Sequence, residues 1–97
     1  MNTEYLPCLD EMSIDEFEAV VWTTDGVRIR IYGRRTEDRI KPYRFYREAP
    51  GTDTVATWLA RRVKPLVGNL DVEVIAGDGA VPHGNTTLAK LRGSYNQ

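Results

Sequence analysis

The sequence predicts an α+β fold: a single two-layer domain whose antiparallel sheet of about four strands, in the order β-β-β-α-β-α, carries one main helix on its core face. Three observations lead there. The run Phe17 to Tyr32 holds two β-rich stretches joined by Asp25-Gly26, a pair that supplies the positive φ of a type I′ turn. Val55, Trp58, Leu59, Arg62, Val63 and Leu66 recur at spacings of three and four, the period of a helix with one packed face. Leu70, Val72, Val74 and Ala76 alternate with Asp71 and Glu73, the period of a strand with one wet face. A chain of 97 residues amounts to one domain, so residues 1–97 are read as one unit with an acidic, partly irregular arm over 1–15.

Taken in order, Ser13-Ile14-Asp15-Glu16 fits a capping box, so the end of the arm begins a helical turn. With Asp25 and Gly26 as loop residues, the hairpin register sets Trp22 opposite Ile29 and Val20 opposite Ile31 on the core face. The other face then pairs Val21 with Arg30 and Ala19 with Tyr32. Arg39 to Arg47, rich in Tyr and Phe, reads as a third strand at the edge, because Pro42 cannot donate to a ladder. The main helix starts after Gly51 to Thr54 and is closed by Pro65 and Gly68-Asn69. After the fourth strand, a Gly-rich turn leads to a short helix from about Thr86 to Arg92. The expected core joins Val20, Trp22, Ile29 and Ile31 to Trp58, Leu59 and Val63.

Charge is unevenly placed although the net value is only −1. Residues 1–25 hold seven acids (Glu4, Asp10, Glu11, Asp15, Glu16, Glu18, Asp25) and no Lys or Arg. Residues 28–47 hold eight bases, Arg28, Arg30, Arg34, Arg35, Arg39, Lys41, Arg44 and Arg47, against Glu37 and Asp38. The first nine residues lack a cationic start, and the longest apolar run is Ala19 to Trp22, which argues against a signal peptide or membrane span and for a cytoplasmic protein.

Catalytic chemistry finds little support. Cys8 is the sole cysteine, which excludes an internal disulfide and a Cys-based zinc site, and its acidic neighbours would raise rather than lower a thiol pKa. His83 is the sole histidine and the serines are Ser13 and Ser94, too few for a nucleophilic triad. Asp71, Glu73 and Asp78 share a strand face and its continuation, read as solvated rather than as a metal site. Gly79 to Thr86 has the spacing of a phosphate-binding loop, but Asn85 stands where the cationic Lys is needed, so nucleotide hydrolysis is rejected. What survives is an anion-binding loop of Gly79, His83, Gly84, Asn85 and Thr86, weighed against an ordinary turn with Asn85 as N-cap. No cofactor and no metal is expected.

The basic stretch is the strongest functional feature, because Tyr32, Tyr43, Phe45 and Tyr46 interleave its cations. Arginine pairs bidentately with carboxylates and stacks on rings, which suits a protein interface; the same residues also suit single-stranded DNA or RNA. A pI near 5.8 lies far below the level above about 9 expected of a dedicated nucleic-acid domain. The expectation is therefore a small non-enzymatic binding module acting by protein–protein interaction through Arg28, Arg30, Tyr32, Arg34, Arg35, Lys41, Tyr43 and Arg44. Nucleic-acid binding by the 28–47 strand face is the alternative. The economy of size and charge is that of small inhibitors or accessory proteins of phages and mobile elements, in which an acidic arm imitates a phosphate backbone.

Overall fold

The computed structural model describes residues 11–33 and 38–95. Cys8, most of the acidic arm, Arg34, Arg35 and Glu37 lie outside the described residues. The chain is an α+β domain with the order β-α-β-β-α-β-α: β1 (Met12–Ser13), α1 (Ile14–Asp25), β2 (Arg28–Tyr32), β3 (Arg39–Ile40), a composite helix α2 over 55–67, β4 (Asp71–Ile75) and α3 (Leu88–Ser94). No helix among the described residues is long and apolar enough to cross a membrane.

The predicted hairpin is a helix followed by a strand. Ser13 and Glu16 close the capping box reciprocally, with the Ser13 N–H donating to Glu16 Oε1 at 2.9 Å and the Glu16 N–H donating to Ser13 Oγ at 3.2 Å. Hydrogen bonding to Ser13, from its backbone N–H first and its side chain second, holds the Glu16 carboxyl below its ordinary 4.5. From there Ile14, Phe17, Val21 and Asp25 are buried at offsets of three, four and four residues, one stripe of a helix. Gly26 at φ 66° ends it in the left-handed conformation, its N–H donating to the Trp22 carbonyl at 3.0 Å. Both a type I′ turn and a helix C-cap need a residue at positive φ, so Asp25-Gly26 satisfies either. The cap at Ser13 and the buried stripe select the helix over the β-propensity of Val20, Val21, Thr23 and Thr24. Trp22 consequently leaves the core and is 42% exposed.

The single four-stranded sheet is replaced by two antiparallel pairs, β1 with β3 and β2 with β4. In the longer pair the register sets Arg28 opposite Ile75, Ile29 opposite Val74, Arg30 opposite Glu73, Ile31 opposite Val72 and Tyr32 opposite Asp71. Alternation turns Ile29, Ile31 and Val74 into the core. The expected third strand shortens to Arg39–Ile40, and residues 41–50 continue without regular structure past Pro42.

Helix α2 begins at its Thr54 N-cap, which accepts from the Thr57 N–H at 3.2 Å. It runs as an α turn (Val55–Trp58), a π-helical turn (Leu59–Val63) and a final α turn (Lys64–Val67). Pro65 lies inside the helix rather than closing it. Proline has no N–H to donate and its ring crowds the carbonyl four residues back. Widening the preceding turn, so that the Lys64 N–H reaches the Leu59 carbonyl, accommodates that defect. Trp58, Val55, Val63 and Val67 face the core and meet Leu88 and Leu91 of α3 there.

At the centre lies Asp25, with no exposed surface. Its Oδ1 accepts from the Ala49 N–H at 2.7 Å and from Arg62 Nη1 at 2.9 Å, and its Oδ2 accepts from Trp58 Nε1 at 3.1 Å and from the Tyr43 hydroxyl. Its backbone carbonyl accepts from Arg92 Nε at 2.7 Å, while Arg92 Nη2 donates to the Ala49 carbonyl at 2.8 Å. Burial, reinforced by the bond to Asp25, pushes the Tyr43 phenol far above its ordinary range. Among the described residues no buried side-chain polar atom lacks a partner.

Two stability outcomes follow. Trp58→Ala should lower unfolding free energy by about 3–5 kcal/mol, whereas Trp22→Ala should leave it within about 1 kcal/mol, measured by urea denaturation. Equal losses would restore the hairpin register. Asp25→Ala, which strands Arg62, Trp58 Nε1 and the Ala49 N–H, should cost about 3–5 kcal/mol, and Tyr43→Phe about 1–2 kcal/mol.

Candidate binding face

Because Ile29 and Ile31 point inward, Arg28, Arg30 and Tyr32 point outward from β2, beside Ile75, Glu73 and Asp71 of β4. Their surroundings differ along the strand. The Arg30 guanidinium lies 5.7 Å from the Tyr32 ring centroid, and the Tyr32 hydroxyl donates to Glu73 Oε1 at 2.6 Å. That bond raises the Tyr32 pKa, since the carboxylate favours the protonated phenol.

At the other end, Arg28 lies over two rings, 5.0 Å from the Trp22 centroid and 5.9 Å from that of Tyr95. The two rings meet edge to face at 5.2 Å. Trp22 arrives from the outer side of α1, just off its buried stripe, and Tyr95 from the residue after α3. The Tyr95 hydroxyl accepts from the Arg28 N–H at 3.0 Å and donates to the Ile75 carbonyl, bridging the last pair of the β2·β4 ladder. Burial raises its pKa, and the Arg28 N–H opposes that rise. Along the same strand, the Ile31 N–H donates to Glu18 Oε2 of α1 at 2.8 Å.

The remaining sequence-derived site residues do not all join this face. Tyr43 is a correction: it is buried against Asp25 and Phe17, because its ring fills the core where residues 41–50 cross α1. Lys41 and Arg44 are exposed, but β3 pairs with β1 and not with β2, so no shared sheet carries them alongside Arg28 and Arg30. Arg44 instead lines a separate groove of about 550 Å³ with Val20, Thr24, Phe45 and Tyr46. Arg34 and Arg35 lie outside the described residues. Trp22 and Tyr95 are the residues that strand parity missed. The signal for Trp22 was the spacing of Ile14, Phe17 and Val21, which leaves position 22 off the buried stripe.

The Gly-rich segment is held by bonds within itself and to α2. His83 Nδ1 accepts from the Asn85 N–H at 3.0 Å and the His83 carbonyl from the Thr86 N–H at 2.9 Å. The carbonyls of Gly84 and Thr86 accept from the Ala56 and Val55 N–H groups at 3.0 and 2.8 Å, satisfying the start of α2. Gly79, at φ 87°, belongs to the turn that ends β4, where its N–H donates to the Ala76 carbonyl. The N-cap of α3 is Thr87, accepting from the Lys90 N–H at 3.2 Å, and not Asn85. The backbone N–H groups of Asn85 and Thr86 are thus engaged within the loop itself. No group of three or more His, Cys, Asp or Glu among the described residues is placed to hold a metal ion.

Phosphate or sulfate should accordingly raise the melting temperature of the wild type and of the His83→Ala, Asn85→Ala variant by the same general salt effect. A response confined to the wild type would re-establish an anion site in this loop.

No protein-family model matches the chain, and neither a curated protein nor a solved structure matches it.

Proposed function

We propose that the protein is a non-enzymatic binding module acting by protein–protein interaction through the outer face of β2, with Arg28, Arg30 and Tyr32 at its centre and Trp22 and Tyr95 at its end. The observation that carries this reading is the set of exposed side chains Trp22, Arg28, Arg30 and Tyr32, with the half-buried Tyr95 beside Arg28, in which each guanidinium lies over a ring. Trp, Tyr and Arg are the residues that dominate binding energy in protein interfaces, because each offers large contact area with a directional polar group. A non-enzymatic role is supported by Asp25, whose lone pairs are all directed at structural donors, and by His83, whose Nδ1 is engaged within its own loop.

Single-stranded nucleic acid is the second reading, favoured by the stacking of cations and rings on one strand. Against it, Glu73 and Asp71 lie on the same face, opposite Arg30 and Tyr32, where they would repel a continuous run of phosphates.

Neutralising the cations is the test, because reversing Arg30 would set a carboxylate directly opposite Glu73. The Arg28→Gln, Arg30→Gln variant should keep its unfolding free energy within about 1 kcal/mol of the wild type. Its affinity for the partner captured by the wild-type protein from its native host should fall by about 30-fold or more. Undiminished capture of that partner would reject the face. If the retained partner were nucleic acid, each lost phosphate contact should lower the slope of log affinity against log salt by about one unit.

A further inference from the structure

Resting on that reading, we propose that Arg28 is the anchor of the face and that it takes a carboxylate of an acidic protein segment, an Asp or Glu flanked by an apolar residue that packs on Trp22. The cross-strand register separates the two arginines of the face. Across the ladder Arg30 stands opposite an acid, Glu73, whereas Arg28 stands opposite Ile75. Elsewhere, Arg62 is paired with Asp25 at 2.9 Å and Arg92 approaches Glu48 at 3.6 Å; among the described residues no acid forms such a pair with Arg28 or Arg30, and only Arg30 has an acid across the ladder. A cation without a counter-ion, on a face that carries acids further along, is where an external anion gains most.

The placement also suits the shape of the ligand. The Arg28 guanidinium, 5.0 Å from the Trp22 ring centroid, carries N–H groups in one plane, and a carboxylate meets such a fork with two parallel bonds. The Trp22 and Tyr95 rings reduce the freedom that Arg28 would otherwise lose on binding. Trp22, 42% exposed beside it, offers apolar area for the neighbouring side chain of the partner. Charge selects a protein over a nucleic acid, because Glu73 lies two residues along β4 from the pair made by Arg28 and Ile75. One carboxylate at Arg28 avoids it, while a strand of successive phosphates passes over it.

The two tryptophans give the readout. Trp58 is 1% exposed and bonded to Asp25, so a ligand-induced change in emission comes from Trp22, and the Trp22→Phe variant supplies the Trp58 background. Three probes are titrated into the folded protein: an acetylated peptide alternating Glu with Leu, its Lys–Leu counterpart, and an oligothymidylate of similar length. The Glu–Leu peptide should shift Trp22 emission to shorter wavelength while the Lys–Leu peptide does not. Arg28→Gln should weaken the Glu–Leu peptide by about 10-fold, as expected for loss of a charged hydrogen-bonded pair, and Arg30→Gln should weaken it less. Arg28→Lys should fail to restore it, since an ammonium neither stacks nor forks.

An unresponsive Trp22, or equal binding by the wild type and Arg28→Gln, overturns the carboxylate assignment. Tighter Arg28-dependent binding of the oligothymidylate overturns it in favour of phosphate. Either result, obtained while the doubly neutralised variant still loses its native partner, removes the anchor and leaves the face standing. Retention of the native partner by that variant removes the face itself.

Discussion

The buried carboxylate of Asp25 is the interaction on which the rest of the molecule depends. A carboxylate without exposed surface persists in a core only if its lone pairs are met, and here four residues donate to it: Tyr43 and Ala49 in the irregular segment, Trp58 in the first turn of α2 and Arg62 in the π turn. Residues 41–50 have no ladder of their own, so these bonds do for that segment what strand pairing does elsewhere. The same demand gives the π turn a purpose beyond accommodating Pro65, since Arg62 belongs to it and also donates to the Arg47 carbonyl while lying 4.4 Å from the Phe45 ring centroid.

The outer face of β2 inherits its geometry from this centre. Asp25 is the last residue of α1, and Gly26 turns the chain at once into β2, so the position of Arg28 is set within three residues of the buried carboxylate. The Asp25 carbonyl also holds Arg92 of α3, and three residues beyond Arg92 stands Tyr95, whose ring and hydroxyl reach Arg28. Trp22, one turn before Asp25, completes the cluster from the same helix. Side chains from α1 and from the end of α3, far apart in sequence, thus meet at Arg28 because both helices are tied to Asp25.

The class of fold was legible because α2, β4 and α3 announce themselves by period and by turn residues that compete with nothing else. The segment 14–32 was not, because its strongest local mark, Asp25-Gly26, has one backbone meaning and two structural uses. The capping box at Ser13 was visible, and the stripe of Ile14, Phe17 and Val21 could have been counted to Asp25. Accepting it required placing an aspartate in the core, which no local pattern recommends; only the convergence of Trp58, Arg62, Tyr43 and Ala49 makes that burial favourable. The outward placement of Arg28, Arg30 and Tyr32 was foreseen despite the wrong strand partner, because parity within β2 does not depend on which strand lies beside it. Trp22 and Tyr95 depended on that missing partner arrangement and could not follow from parity.

A five-pair ladder is too small to stand alone, and the β2·β4 pair is closed at one end by the side chain of Tyr95 rather than by backbone alone. The hydroxyl sits between the Arg28 amide and the Ile75 carbonyl, so the terminal rung cannot part without detaching the end of α3. The end of the sheet and the end of α3 are therefore coupled through Tyr95. Whatever restrains the Arg28 backbone thereby also restrains the residue that follows α3.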